Sequence, residues 1–108
     1  MADVTLDTKR IRDWETFHDV CAQAFGFPEF YGRNMNAWID CLTYLDEGDG
    51  MSRFMLSPGE YLYIHLPNFE VLQALVPEVA QALLDCTAFV NRRYAEGGGS
   101  PRLSLVLR

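Results

Sequence analysis

Tyr61-Leu62-Tyr63-Ile64-His65-Leu66 is the run that most restricts how this chain can fold. It is short, nearly continuous in apolar residues, and preceded by a Ser57-Pro58-Gly59 turn. A strand with one wet face alternates polar and apolar residues. A strand covered on both faces of a parallel sheet reads as an unbroken apolar run. Parallel neighbours cannot be joined by a hairpin and need crossover connections, usually helical.

The flanking segments supply those helices. Asp13 is placed to cap a helix carrying Trp14, Phe17, Cys21 and Phe25 on one face, stopped by Gly26 and Pro28. A second helix is predicted from Asn34 to Leu45. Asp46 to Gly50 reads as an acidic, glycine-rich solvated loop, and Met51 to Leu56 is open between element types. Beyond the central run, Asn68 is placed to cap a short helix through Leu75, and Pro77 suits the first turn of another. Val79, Leu83, Cys86, Val90 and Tyr94 recur at spacings of 4, 3, 4 and 4, a helical stripe ended by Gly97-Gly98-Gly99. Val4-Thr5-Leu6 reads as a first strand, and Leu103 to Leu107 closes the chain as a buried one. The order β-α-α-β-α-α-β predicts an α/β fold: a small three-stranded parallel sheet packed with about four helices, in one domain over residues 1–108.

Composition narrows the function classes. A chain of 108 residues supports a single core. Its 49% hydrophobic and 22% charged residues are those of a soluble globule. No apolar run approaches a membrane span and no signal-peptide core opens the chain, so a cytoplasmic protein is expected. The formal charge of −6 disfavours nucleic acid and anionic membranes as partners and favours something basic. Cys21, Cys41 and Cys86 are odd in number and widely spaced, which suits reduced core thiols.

Catalytic chemistry has little to stand on, and no catalytic residue, metal ligand or cofactor is expected. His18 and His65 read as surface or satisfied core histidines. There is no Gly-x-Ser-x-Gly elbow and no phosphate-cradling Gly-x-x-x-x-Gly-Lys loop, and the triple glycine precedes a strand rather than opening a helix. Asp46, Glu47 and Asp49 lack the spacing and the terminal glutamate of a calcium loop.

The stretch from Phe27 to Thr43 is different. Pro28 and Gly32 punctuate an aromatic loop that runs straight into the second helix. At about 100° per residue, Met35, Trp38, Leu42 and Leu45 share one side and Asn36, Asp40, Thr43 and Tyr44 the other. Phe30 and Tyr31 lie just before the helix, and Ile39 is read at the edge of its polar face. Aromatic and aliphatic groups around a central carboxylate are the make-up of a binding hot spot. Asn34 suits an N-cap that can also touch a partner. Gly32 suits a turn needing positive φ, and Trp38 belongs to the core.

Pro28-Glu29-Phe30-Tyr31-Gly32-Arg33-Asn34 followed by Asp40-Cys41-Leu42-Thr43 resembles the signature of the barstar family, intracellular inhibitors of a secreted bacterial ribonuclease. The likeness extends in length, acidity and element order, with an Ala95-Glu96-Gly97 turn before the last strand. It implies an immunity-type inhibitor, monomeric when free, whose loop and helix occlude the basic active site of a ribonuclease. Asp40 would meet the enzyme's catalytic cations, with Phe30, Asn34, Asn36, Ile39, Thr43, Tyr44 and Glu96 as further contacts. The chain departs from the family where Asn36 replaces an aspartate, Ile39 a tryptophan, Tyr44-Leu45 a Gly-Trp pair, and Arg92 a glutamate. Relative to the family it also carries an insertion around Asp46 to Gly59. These changes imply a target other than the family's usual one. Two other readings stand beside this: an acidic interaction module whose basic partner is not a nuclease, and a small hydrolase that would need Asp40 to meet His18 or His65.

Overall fold

The computed structural model describes residues 2–46 and 51–108. Strand β1 spans Ala2–Thr5 and is followed by a 3-10 turn, Thr8–Arg10, and helices α1 (Trp14–Phe25) and α2 (Met35–Thr43). Strand β2 (Leu62–Leu66) leads into α3 (Phe69–Leu75), α4 (Pro77–Glu96) and strand β3 (Leu103–Leu107). The three strands form one parallel sheet in the order β1-β2-β3, with Val4, Ile64 and Leu105 in register. The predicted α/β architecture and element order are those observed. Glu47 and Asp49 of the predicted acidic loop lie outside the described residues.

Two helix starts follow the sequence signals. The Asp13 side chain accepts from the Thr16 N–H at 2.8 Å while the Thr16 hydroxyl accepts from the Asp13 N–H at 3.0 Å, a reciprocal cap. Pro77 occupies the first turn of α4. Asn68 is a correction: it sits at φ 55 with no side-chain cap, and its main-chain carbonyl accepts from Val71 and Leu72. Asparagine tolerates the left-handed region better than most residues, which is the use made of it here.

The sheet itself corrects the opening expectation. Leu62, Ile64 and Leu66 are fully buried, whereas Tyr63 and His65 are half-buried. A strand order that advances in one direction through like-handed crossovers stacks the helices on one face, and β2 therefore alternates. Its second face was disguised by two amphipathic side chains. Tyr63 packs near Tyr61, and His65 Nε2 meets Asp3 Oδ1 at 2.7 Å while its Nδ1 faces Arg108 at 2.9 Å. β3 is likewise an edge strand rather than a buried one: Leu103 is buried, Ser104 to Val106 are half-buried and Leu107 is exposed.

The core lies between the covered sheet face and the helices. Phe17, Phe25, Trp38, Leu42, Leu45, Leu83 and Val90 are all fully buried there. Trp14, read as part of the α1 stripe, is 40% exposed and stacks on His18 instead. Cys21 and Cys41 are buried and Cys86 half-buried, all three as free thiols. Burial pushes the Cys21 thiol up to about 12, so it stays protonated. No helix among the described residues is long and apolar enough to cross a membrane.

Candidate partner-binding surface

The loop before α2 is pinned from inside. Tyr31 N–H closes a turn onto the Pro28 carbonyl at 2.9 Å, and the Tyr31 ring turns inward against Phe27. Its hydroxyl reaches His18 Nδ1 at 2.7 Å, so His18 is a satisfied core histidine. With Tyr31 turned in, neighbouring Phe30 is thrown out, 76% exposed. Arg33 clamps the same loop to α1, donating to the Glu15 carbonyl at 3.0 Å and pairing with Asp19 at 2.8 Å. Arg33 also takes the left-handed backbone position, at φ 55, that Gly32 was expected to hold. The clamp accounts for an arginine there: two contacts to α1 offset the conformational penalty.

Asn34 caps α2, its Oδ1 accepting from the Ala37 N–H at 2.8 Å. Behind it, Trp38 and Leu42 are fully buried, while Asn36, Asp40 and Tyr44 are exposed. Ile39 is corrected from the polar edge to the core, at 9% exposure. It lies four residues after Met35 and three before Leu42, so it shares their side of the helix. Thr43 is half-buried, and its hydroxyl donates to the Ile39 carbonyl at 2.6 Å, leaving only its oxygen lone pairs for any partner.

The residue that organises this face was missed. Arg93 of α4 places its guanidinium 3.2 Å from Asp40 Oδ1. Arg92, the residue that replaces a family glutamate, is exposed and lies with Arg93 about the Phe89 ring, at 5.8 Å and 5.1 Å. The stripe on α4 held the signal: at about 100° per residue Arg93 falls within roughly 60° of Val90, and Arg92 about 160° away. Next in the chain, Tyr94 locks the two helices, its hydroxyl donating to the Leu42 carbonyl at 2.8 Å and accepting from the Leu45 N–H at 3.0 Å. Glu96 is exposed at the end of α4, one turn beyond Arg93. The face thus gathers Asn36, Asp40 and Tyr44 with Phe89 and Arg93, Phe30 stands on the loop leading into α2, and Ile39 is withdrawn.

Comparison with known protein families matches residues 1–106 to the family described as Barstar (barnase inhibitor). The chain belongs to the barstar family. Among curated proteins it is similar to one named "Putative ribonuclease inhibitor YrdF", from Bacillus subtilis (strain 168). The two are 37% identical over 43 residues, 40% of this chain and 47% of that relative, so the match spans about half the relative's length.

Within this barstar-family fold the signature stretch forms a loop running straight into α2. Asp40 is paired in the free chain. The hydrolase arrangement is not formed: Asp40 meets Arg93, His18 meets Tyr31, and His65 meets Asp3 and Arg108. Among the described residues no three His, Cys, Asp or Glu side chains gather as a metal site requires. Beside the Asp40–Arg93 pair, between the ends of α2 and α4, lies a cavity of about 370 Å³ lined by Thr43, Tyr44, Arg93 and the triple glycine.

Proposed function

We propose that this chain is a protein inhibitor of a ribonuclease, acting as a plug rather than a catalyst, and that residues 1–108 work as one domain. In this reading it acts in the cytoplasm, is monomeric when free, needs no metal or cofactor, and has a basic target. The observation that carries the reading is Asp40, an exposed carboxylate in the middle of a helix whose opposite side is locked in the core. Phe30, Asn34, Asn36 and Tyr44 surround it with the aromatic and polar groups of a hot spot. Membership of a family described as barnase inhibitors, and the name of the Bacillus relative, support the ribonuclease as target class.

Titration against purified barnase and against the ribonucleases of the organism that makes this chain, following RNA cleavage, tests the reading. Stoichiometric loss of cleavage is expected for at least one enzyme, with the effect greatly weakened in Asp40→Ala. Full inhibition by Asp40→Ala removes the α2 face from the mechanism. Failure to inhibit any of them removes the ribonuclease.

The second reading is an interaction module whose basic partner is not a nuclease. What leaves room for it is that Asp40 is already paired with Arg93, so the face is charge-balanced and not built for a cluster of catalytic cations alone. Affinity capture with wild type against Asp40→Ala separates the two by what is retained: a nuclease in one case, another basic protein in the other.

A further inference from the structure

We infer that the α2–α4 face takes a partner presenting a cation and a carboxylate side by side, the cation for Asp40 and the carboxylate for Arg93. This rests on the reading of the face as the inhibitory surface and specifies the chemistry it would meet there.

The face is bipolar although the chain as a whole carries −6. Asp40 and Glu96 are opposed by Arg92 and Arg93, so the local charges cancel. Arg93 is held rather than loose. Its guanidinium is fixed between the Asp40 carboxylate at 3.2 Å and the Phe89 ring at 5.1 Å, and its side chain is still 40% exposed. A guanidinium has five N–H donors, and Asp40 is its one hydrogen-bond partner among the described residues.

The remaining donors have somewhere to act. Arg93 lines the cavity of about 370 Å³, together with Gly97, Gly98 and Gly99 at the end of α4. The other arginine on that cavity, Arg102, is engaged: it donates to the Ser57 and Glu60 carbonyls at 2.9 and 3.3 Å and lies 3.6 Å from Asp46. Asp46 is thereby balanced, and of the two arginines on the cavity Arg93 is the one with donors left for an incoming carboxylate.

A partner bringing only cations would have to push Arg93 off Asp40, losing its contact with Phe89, or bury like charges together, which suppresses wrong partners. A partner that adds a carboxylate to Arg93 keeps the existing pair and extends it to a four-charge array. Arg93 is then a specificity determinant rather than a shield over Asp40, and the two roles predict opposite signs.

The test is a double-mutant cycle on the ribonuclease that the wild-type chain inhibits. Arg93→Ala and Arg93→Gln are expected to weaken inhibition at least tenfold, with thermal melting confirming that both variants are folded. Neutralising one enzyme carboxylate should weaken wild type by a similar factor and leave binding of Arg93→Ala unchanged. Inhibition that is unaltered or tighter in Arg93→Ala makes Arg93 a mask and overturns the inference while leaving the inhibitor reading intact. If wild type inhibits no ribonuclease, both fall.

Discussion

His18 Nδ1 and the Tyr31 hydroxyl lie 2.7 Å apart inside the protein, joining α1 to the loop that carries Phe30. Burial, with Arg33 as the second cause, lowers the His18 pKa below its ordinary 6.5. The folded state therefore binds fewer protons than the unfolded chain near that pH, and stability rises with pH there. The contribution is complete above 6.5 and is lost as pH falls through the lowered folded value. Thermal melts across this window should show a falling midpoint on acidification, with a flatter profile in His18→Gln. An unchanged slope in that variant would assign the dependence to other groups.

Trp38 and Asp40 stand two residues apart and should behave oppositely in stability. Trp38→Ala removes a fully buried indole and should cost about 3–5 kcal/mol in denaturant unfolding. Asp40→Ala breaks an exposed ion pair and should cost no more than about 1 kcal/mol. Equal losses would make Asp40 a structural residue.

Tyr94→Phe tests what holds the face together. It deletes the hydroxyl that satisfies the buried Leu42 carbonyl and Leu45 N–H, and stranding such groups costs about 1–3 kcal/mol. The end of α2 should loosen against α4, seen as faster amide exchange at Leu45. Wild-type protection there would show that water or a shifted neighbour replaces the hydroxyl.

Association and dissociation should respond to different charges. The −6 of the whole chain draws a basic partner at long range, so the association rate should fall as salt rises, in wild type and Asp40→Ala alike. Asp40→Ala should act mainly on dissociation, by about 2–5 kcal/mol, the general scale for truncating one partner of a buried, hydrogen-bonded charge pair. Stopped-flow kinetics at two ionic strengths separates the two. A variant that slows association and leaves dissociation untouched would place Asp40 at the rim.

What the sequence determined by itself was local. The Val79-to-Tyr94 stripe, the Asp13 and Asn34 caps and the three short strands each depend on residues within a few positions, where side-chain period and backbone hydrogen bonding decide the outcome. The loop-to-helix signature was legible for the same reason, since Phe30, Asn34 and Asp40 sit in one contiguous block. Tertiary structure decided whatever depended on which surface lay opposite. A period assigns Met35 and Leu42 to a face but not the width of its cover, so Ile39 was misplaced. An apolar run does not say how many layers flank it, so Tyr63 and His65 passed for core. The pair that sets the charge of the candidate site, Asp40 with Arg93, joins residues 53 apart in the chain. Only the packing of α2 on α4 brings them together, and no rule of spacing along one helix reaches across to another.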